Sequence, residues 1–136
     1  MSPTTAPYTG HRALTIAGLL TVAAGAVHFA ITFLAYRPVF KLTALWFAGT
    51  GIAIALIGIL TLFVRYTPAG SVDRWVAAIA NAAGLVISIV FEMLNGWAEP
   101  RGYVQIVLFL VGGLAALLGG RPATAGVVAD PAVRRP

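Results

Sequence analysis

The sequence contains no cysteine and very few charged residues. The absence of cysteine excludes disulfides, thiolate nucleophiles and cysteine-ligated metal sites from this chain. Only 10% of its 136 residues are charged, nine basic and four acidic, whereas soluble domains usually carry about 25%. So few charges cannot cover the surface of a soluble domain of this length. A soluble globular enzyme is therefore excluded, and so is a disordered chain, which needs high charge and low hydrophobicity.

Hydrophobic residues make up 60% of the chain and are concentrated in four runs between the charged residues. The runs cover 13–36, 42–64, 75–98 and 102–120, and each is 19 to 24 residues long. A helix of about 20 residues crosses the hydrocarbon layer, and backbone polar groups in lipid must be hydrogen-bonded internally. The sequence therefore predicts an all-α integral membrane protein, a four-transmembrane-helix antiparallel bundle in contact with the lipid bilayer.

The predicted organisation is a tail over 1–12, a single membrane domain over 13–121 and a disordered tail over 122–136. A cleaved signal peptide ending near Ala24-Gly25-Ala26 is the alternative for the first run. Because the apolar run continues well past this site, we expect an uncleaved helix.

The basic residues predict the orientation of the bundle. Six lie on one side of the predicted membrane and three, Arg37, Lys41 and Arg101, on the other. This excess predicts that both termini are in the cytoplasm and that the protein is integral to the cytoplasmic membrane. Topology and anionic lipid account for these bases at the ends of apolar runs, so no nucleic-acid partner is predicted. The preference for Arg over Lys, eight to one, hints at a bacterial source.

One carboxylate and one imidazole lie within the predicted spans. His28 and Glu92 are eight and six residues from the predicted outer boundary, about 12 Å and 9 Å deep in a helix. Both belong to stripes of small and polar residues at helical spacing, which predicts that they face inward and share one space. A membrane carboxylate is costly and is a functional-site candidate. Glu92 and His28 are therefore the predicted catalytic residues, an acid–base pair. The alternative is structural: an interfacial Glu92 or one paired with Arg37 or Arg101, and a His28 that only donates a hydrogen bond.

Other polar and aromatic side chains fall in the same half of the predicted membrane. They are predicted to bind a ligand, with one tryptophan as a wall and two amides as orienting groups: Trp46, Thr50, Asn95, Gln105 and Tyr36. Interhelical hydrogen bonds and interfacial aromatic anchoring are the alternative explanation. No metal and no cofactor are predicted, because His28 and Glu92 alone provide too few ligands for a metal ion.

The favoured function is a polar pocket that binds a small or lipophilic ligand, with enzymatic status left open. An enzyme would be a cofactor-independent acid–base isomerase or cyclase. One alternative is a proton-coupled small transporter for a cationic ligand, as a homodimer because four helices enclose little volume. The other is a structural or assembly subunit without chemistry. In size and helix number the chain resembles the small four-helix bacterial membrane proteins called DoxX-like, a resemblance of architecture that implies no site residue.

Overall fold

The computed structural model of the protein describes residues 9–36, 42–67 and 70–119. Four α-helices are present in these segments: α1 (Thr9–Ala35), α2 (Leu42–Phe63), α3 (Val72–Leu94) and α4 (Pro100–Leu118). A short 3₁₀ helix, Val64–Tyr66, continues α2. All four α-helices are long and apolar enough to cross a membrane, and they pack as a bundle. The predicted fold class is therefore confirmed.

The chain outside these segments includes the predicted C-terminal tail and the basic residues Arg37 and Lys41. The predicted orientation in the membrane rests partly on them and stays a prediction. We name the two ends of the bundle by residues that the structure describes. The Arg74 end contains the start of α3 and the end of α4, and the Glu92 end contains the end of α3 and the start of α4.

Helix contacts give the bundle an order around its axis of α2, α1, α4 and α3. The α1–α2 and α3–α4 pairs contact most extensively, and α1 also packs against α4. The contact between α2 and α3 is slight. Because α1 and α3 lie on a diagonal, their polar stripes face α2 and α4 rather than each other.

Glycines bring α1 and α2 together at backbone distance. Gly18 and Gly25 of α1 lie opposite Gly58 and Gly51 of α2, respectively. A Cβ at Gly25 would collide with the backbone nitrogen of Ala55 and would lie 2.6 Å from the carbonyl oxygen of Gly51. The two glycines on each helix are seven residues apart, the spacing that keeps one face of a helix against its partner over two turns.

The α3–α4 interface instead pairs a large buried side chain with a glycine on the other helix. Phe109 fills the space beside Gly84, where a Cβ would lie 2.8 Å from its Cζ atom. Asn81 fills the space beside Gly112, and Glu92 the space beside Gly102. Two of the three side chains that pack in this way are polar. In each case a glycine on the partner helix provides the space that the side chain fills.

The end of α3 is a Schellman motif, which differs from the predicted run of 75–98. Gly96 adopts a left-handed backbone with φ of 65°. The backbone N–H of Trp97 donates to the carbonyl of Glu92 at 2.8 Å, and that of Gly96 to Met93 at 3.4 Å. These are the two hydrogen bonds by which such a motif closes a helix. The helix consequently ends at Leu94, and Glu92 lies in its last turn.

Candidate functional site

A cleft of about 290 Å³ lies between α1, α2 and α4. We call it the α1–α4 cleft, because those two helices provide eight of its nine lining residues. Most of its wall is aliphatic, with three polar side chains and one aromatic ring: Ala23, Ala24, Val27, His28, Ile31, Phe47, Arg101, Val104 and Gln105. Small and branched residues leave space between the helices, and the few polar groups give the cleft a chemically distinct end.

His28 is held in this wall by a stacking contact with α2. Its ring lies 4.0 Å from that of Phe47, centroid to centroid, with 20° between the planes. The Nε2 atom is buried and has no hydrogen-bond partner among the described residues. Leaving a buried polar atom unpaired costs about 1–3 kcal/mol. A ligand that hydrogen-bonds to Nε2 would remove this cost.

The first two turns of α4 provide the other polar groups. Glu99 is at the N-cap position and Pro100 follows as the first helical residue, an arrangement that favours helix initiation because proline needs no N–H partner there. Arg101 and Gln105 are one turn apart and both line the cleft. Arg101 is also paired with Glu99, with 2.7 Å between Nη2 and Oε2.

Glu92, which belongs to α3, is buried against a face of α4 that does not line the cleft. It is 0% exposed, and its carboxylate occupies the space where a side chain at Gly102 would begin. Neither carboxylate oxygen has a hydrogen-bond partner within the described segments. Nearby donors are used elsewhere: the Asn95 amide donates to the carbonyl of Phe91 at 2.8 Å. The Tyr103 hydroxyl likewise donates to the carbonyl of Trp97 at 2.8 Å.

Of the seven side chains predicted to form one site, two line the α1–α4 cleft, His28 and Gln105. Glu92 does not line the α1–α4 cleft, and neither do the remaining four. Trp46 is 73% exposed. Thr50 and Asn95 are exposed too, and Thr50 donates to the carbonyl of Trp46 at 3.0 Å. The ring of Tyr36 lies 5.9 Å from that of Phe47, which lines the cleft.

Phe47 and Arg101 are cleft residues that the sequence prediction missed. On α2 the prediction chose the face of Trp46, whereas the face that meets α1 is offset from it. A signal for the correct face was present, because small residues recur at spacings of four and three along α2: Ala44, Ala48, Gly51, Ala55 and Gly58. Four of these five are buried. Phe47 adjoins this stripe, and so it reaches His28.

Within the described residues, Arg74 is a second buried charged side chain, at the opposite end of the bundle from Glu92. It is 2% exposed, although the sequence had placed it at the membrane boundary. Its guanidinium donates to the carbonyls of Ala116 at 2.8 Å, Ala115 at 2.9 Å and Val64 at 3.0 Å. Cations are favourable at helix C-termini, where carbonyls lack partners within the helix. Arg74 thus closes the ends of two other helices.

Within the described parts of the chain, no three His, Cys, Asp or Glu side chains lie together as metal ligands would. Comparison of the chain with protein-family models, with curated proteins and with solved structures gives no match.

Proposed function

We propose that the α1–α4 cleft binds a lipophilic ligand that carries a polar head. The observation that supports this most directly is the buried, unpartnered Nε2 atom of His28 in a mostly aliphatic wall. Ligand sites are typically apolar cavities with a few polar groups that fix the orientation of the ligand. His28, Gln105 and Arg101 fit that role.

The polar groups and the aliphatic wall are separated along the bundle axis. Arg101 and Gln105 lie in the first two turns of α4, and His28 lies two turns before the end of α1, all toward the Glu92 end. Ala23 and Ala24 lie four to five residues further from this end than His28, about 6–8 Å along the helix. A ligand would therefore place its head near the Glu92 end and its apolar part toward the middle of the bundle.

His28 is the group that would exchange a proton with a bound ligand. Arg101 is the one other ionisable side chain in the wall of the cleft, and a guanidinium does not release its proton in proteins. Glu92 packs against Gly102, and neither residue lines the cleft. Any acid–base isomerisation at this site would consequently depend on His28, with Glu92 as a packing residue of α3.

Mass spectrometry of molecules that co-purify with the protein tests the proposal. Wild type is expected to carry a lipophilic molecule, and Ala24→Leu is expected to lose it because the larger side chain fills the apolar part of the cleft. Ala30→Leu is the matched control, since Ala30 is exposed on the same helix and does not line the cleft. Equal amounts of the molecule in all three proteins, or none in wild type, would contradict the proposal.

Turnover can be examined on the same material. Isomerisation leaves the mass of a molecule unchanged but can alter its chromatographic retention. The retention of the molecule that co-purifies with wild type is therefore compared with that of the molecule that co-purifies with His28→Gln. A shifted retention at equal mass is the expected sign of catalysis, and identical retention indicates binding without chemistry.

A further inference from the structure

The charges around the α1–α4 cleft favour one sign of ligand. None of its nine lining residues is acidic, and Arg101 is cationic. Glu92 is the acid that the sequence would offer to a cationic ligand, yet its carboxylate packs against Gly102, which does not line the cleft. Among the described residues, the wall of the cleft therefore contains a cation that a ligand can approach and no anion.

Arg101 retains binding capacity despite its ion pair. Its Nε and Nη2 atoms both donate to one oxygen of Glu99, Oε2, at 3.2 and 2.7 Å. The Nη1 atom takes no part in this pair, and the side chain is 58% exposed. An exposed ion pair of this kind contributes little to stability, so Arg101 can exchange Glu99 for another anion at little cost.

The size of the cleft limits what can follow the head. Its volume of about 290 Å³ is roughly twice the ~150 Å³ of an engineered cavity that holds benzene. A cleft of this volume has room for one hydrocarbon chain. The alanines at its inner part allow this chain to lie against α1.

Building on the proposed function, we infer that the ligand is a single-chain amphiphile with an anionic head. Arg101 neutralises the head, and Gln105 and the Nε2 atom of His28 hydrogen-bond to it. The chain extends past Val27 toward Ala24. A charged hydrogen bond to the anion is the interaction that separates this ligand from neutral and cationic amphiphiles of equal length.

Three probes of equal chain length test this inference: dodecanoate, dodecanol and dodecyltrimethylammonium. Each is titrated into the protein in a neutral maltoside detergent, and bound probe is measured by native mass spectrometry. Wild type is expected to bind one dodecanoate about ten-fold more tightly than dodecanol, the effect of one charged hydrogen bond. Binding of the ammonium probe is expected to be weaker still.

Variants of the ion pair make the test specific. Arg101→Gln is expected to remove the preference for dodecanoate, and Arg101→Lys to keep most of it. Glu99→Gln is expected to tighten dodecanoate binding, because it removes the carboxylate that competes for Arg101. Arg12→Gln, an exposed arginine on α1 outside the cleft, is the control and should bind as wild type does.

The outcomes separate the inference from the proposed function. If the ammonium probe binds as tightly as dodecanoate, or if Arg101→Gln keeps the preference, the anionic ligand class is wrong. The cleft would still be a ligand site if Ala24→Leu then abolished binding of every probe. If no probe binds wild type, or if Ala24→Leu leaves all binding unchanged, the inference and the proposed function fail together.

Discussion

The carboxylate of Glu92 occupies the position that the Cβ atom of any other residue at Gly102 would take. The two residues are ten positions apart, on helices that run in opposite directions, and neither position can be changed independently of the other. An intramembrane carboxylate commonly marks a functional site. In this protein the Glu92 carboxylate packs against the backbone of α4 at Gly102.

Gly102→Ala is expected to destabilise the bundle by about 1–3 kcal/mol, the usual cost of overpacking a buried site. Thermal unfolding in detergent measures the change. Gly49→Ala is the matched control, because a Cβ at this exposed helical glycine of α2 would meet nothing within 4 Å. A loss of stability equal to that of Gly49→Ala would show that the Glu92 side chain yields freely.

The coupling between the two positions can be measured by a double-mutant cycle. Glu92→Ala leaves space beside α4, so Gly102→Ala is expected to cost less in that background than in wild type. We expect a coupling of at least about 0.5 kcal/mol, as for other residues in direct contact. Additive effects, by contrast, would mean that the carboxylate and the glycine are energetically independent.

Gly25→Ala is expected to separate α1 from α2. The new Cβ would meet the backbone nitrogen of Ala55 and the carbonyl oxygen of Gly51, and backbone atoms cannot move aside as a flexible side chain can. We expect a destabilisation larger than that of Gly18→Ala, because the nearest atoms there belong to the side chain of Leu62. Unfolding of both variants in detergent tests the order, and the reverse order would contradict it.

Arg74→Gln is expected to cost at least about 2 kcal/mol, since three helix-end carbonyls lose a charged donor. Arg74→Lys should restore only part of this stability, because an ammonium lacks the fork that reaches several carbonyls at once. Arg12→Gln removes an exposed arginine instead and should stay within about 0.5 kcal/mol of wild type. Full recovery in Arg74→Lys would argue that charge alone matters.

His28→Phe separates the stacking of His28 on Phe47 from its proposed hydrogen bond to a ligand. The phenyl ring can keep the stack on Phe47, so the thermal midpoint is expected to stay close to that of wild type. The Nε2 atom is lost, so binding of dodecanoate is expected to weaken several-fold. If binding persists and stability falls instead, His28 serves packing and not the ligand.

The sequence was sufficient to predict the four spans, because the need to bond every backbone group in lipid leaves helices as the solution for such long apolar runs. It also predicted that the stripe containing Gly18 and Gly25 faces inward. The C-terminal end of α3 was harder to predict, since composition does not reveal that Gly96 closes the helix before Trp97.

The sequence indicated the depth of the candidate site residues but not which helices are neighbours. Depth along a helix follows from residue number, and His28 and Gln105 line the same cleft. Which helices are neighbours does not follow from depth. With α1 and α3 on a diagonal, α4 lies between His28 and Glu92, and the predicted pairing lacks the shared space that it required. Arg74 escaped prediction because its partners are main-chain atoms, which leave no pattern in side chains.

The hydrogen bonds of Arg74 have a consequence for how the protein enters the membrane. Two of its acceptors, the carbonyls of Ala115 and Ala116, are 41 and 42 residues further along the chain. During synthesis α3 is made before these acceptors exist, because the carbonyls of Ala115 and Ala116 belong to α4. Until α4 is made, the Arg74 guanidinium lacks them. The α1–α2 hairpin can form as soon as α2 is made, whereas α3 is expected to pack stably only once α4 is present. The second hairpin is therefore expected to integrate as one unit, and a chain truncated before α4 to leave α3 poorly inserted.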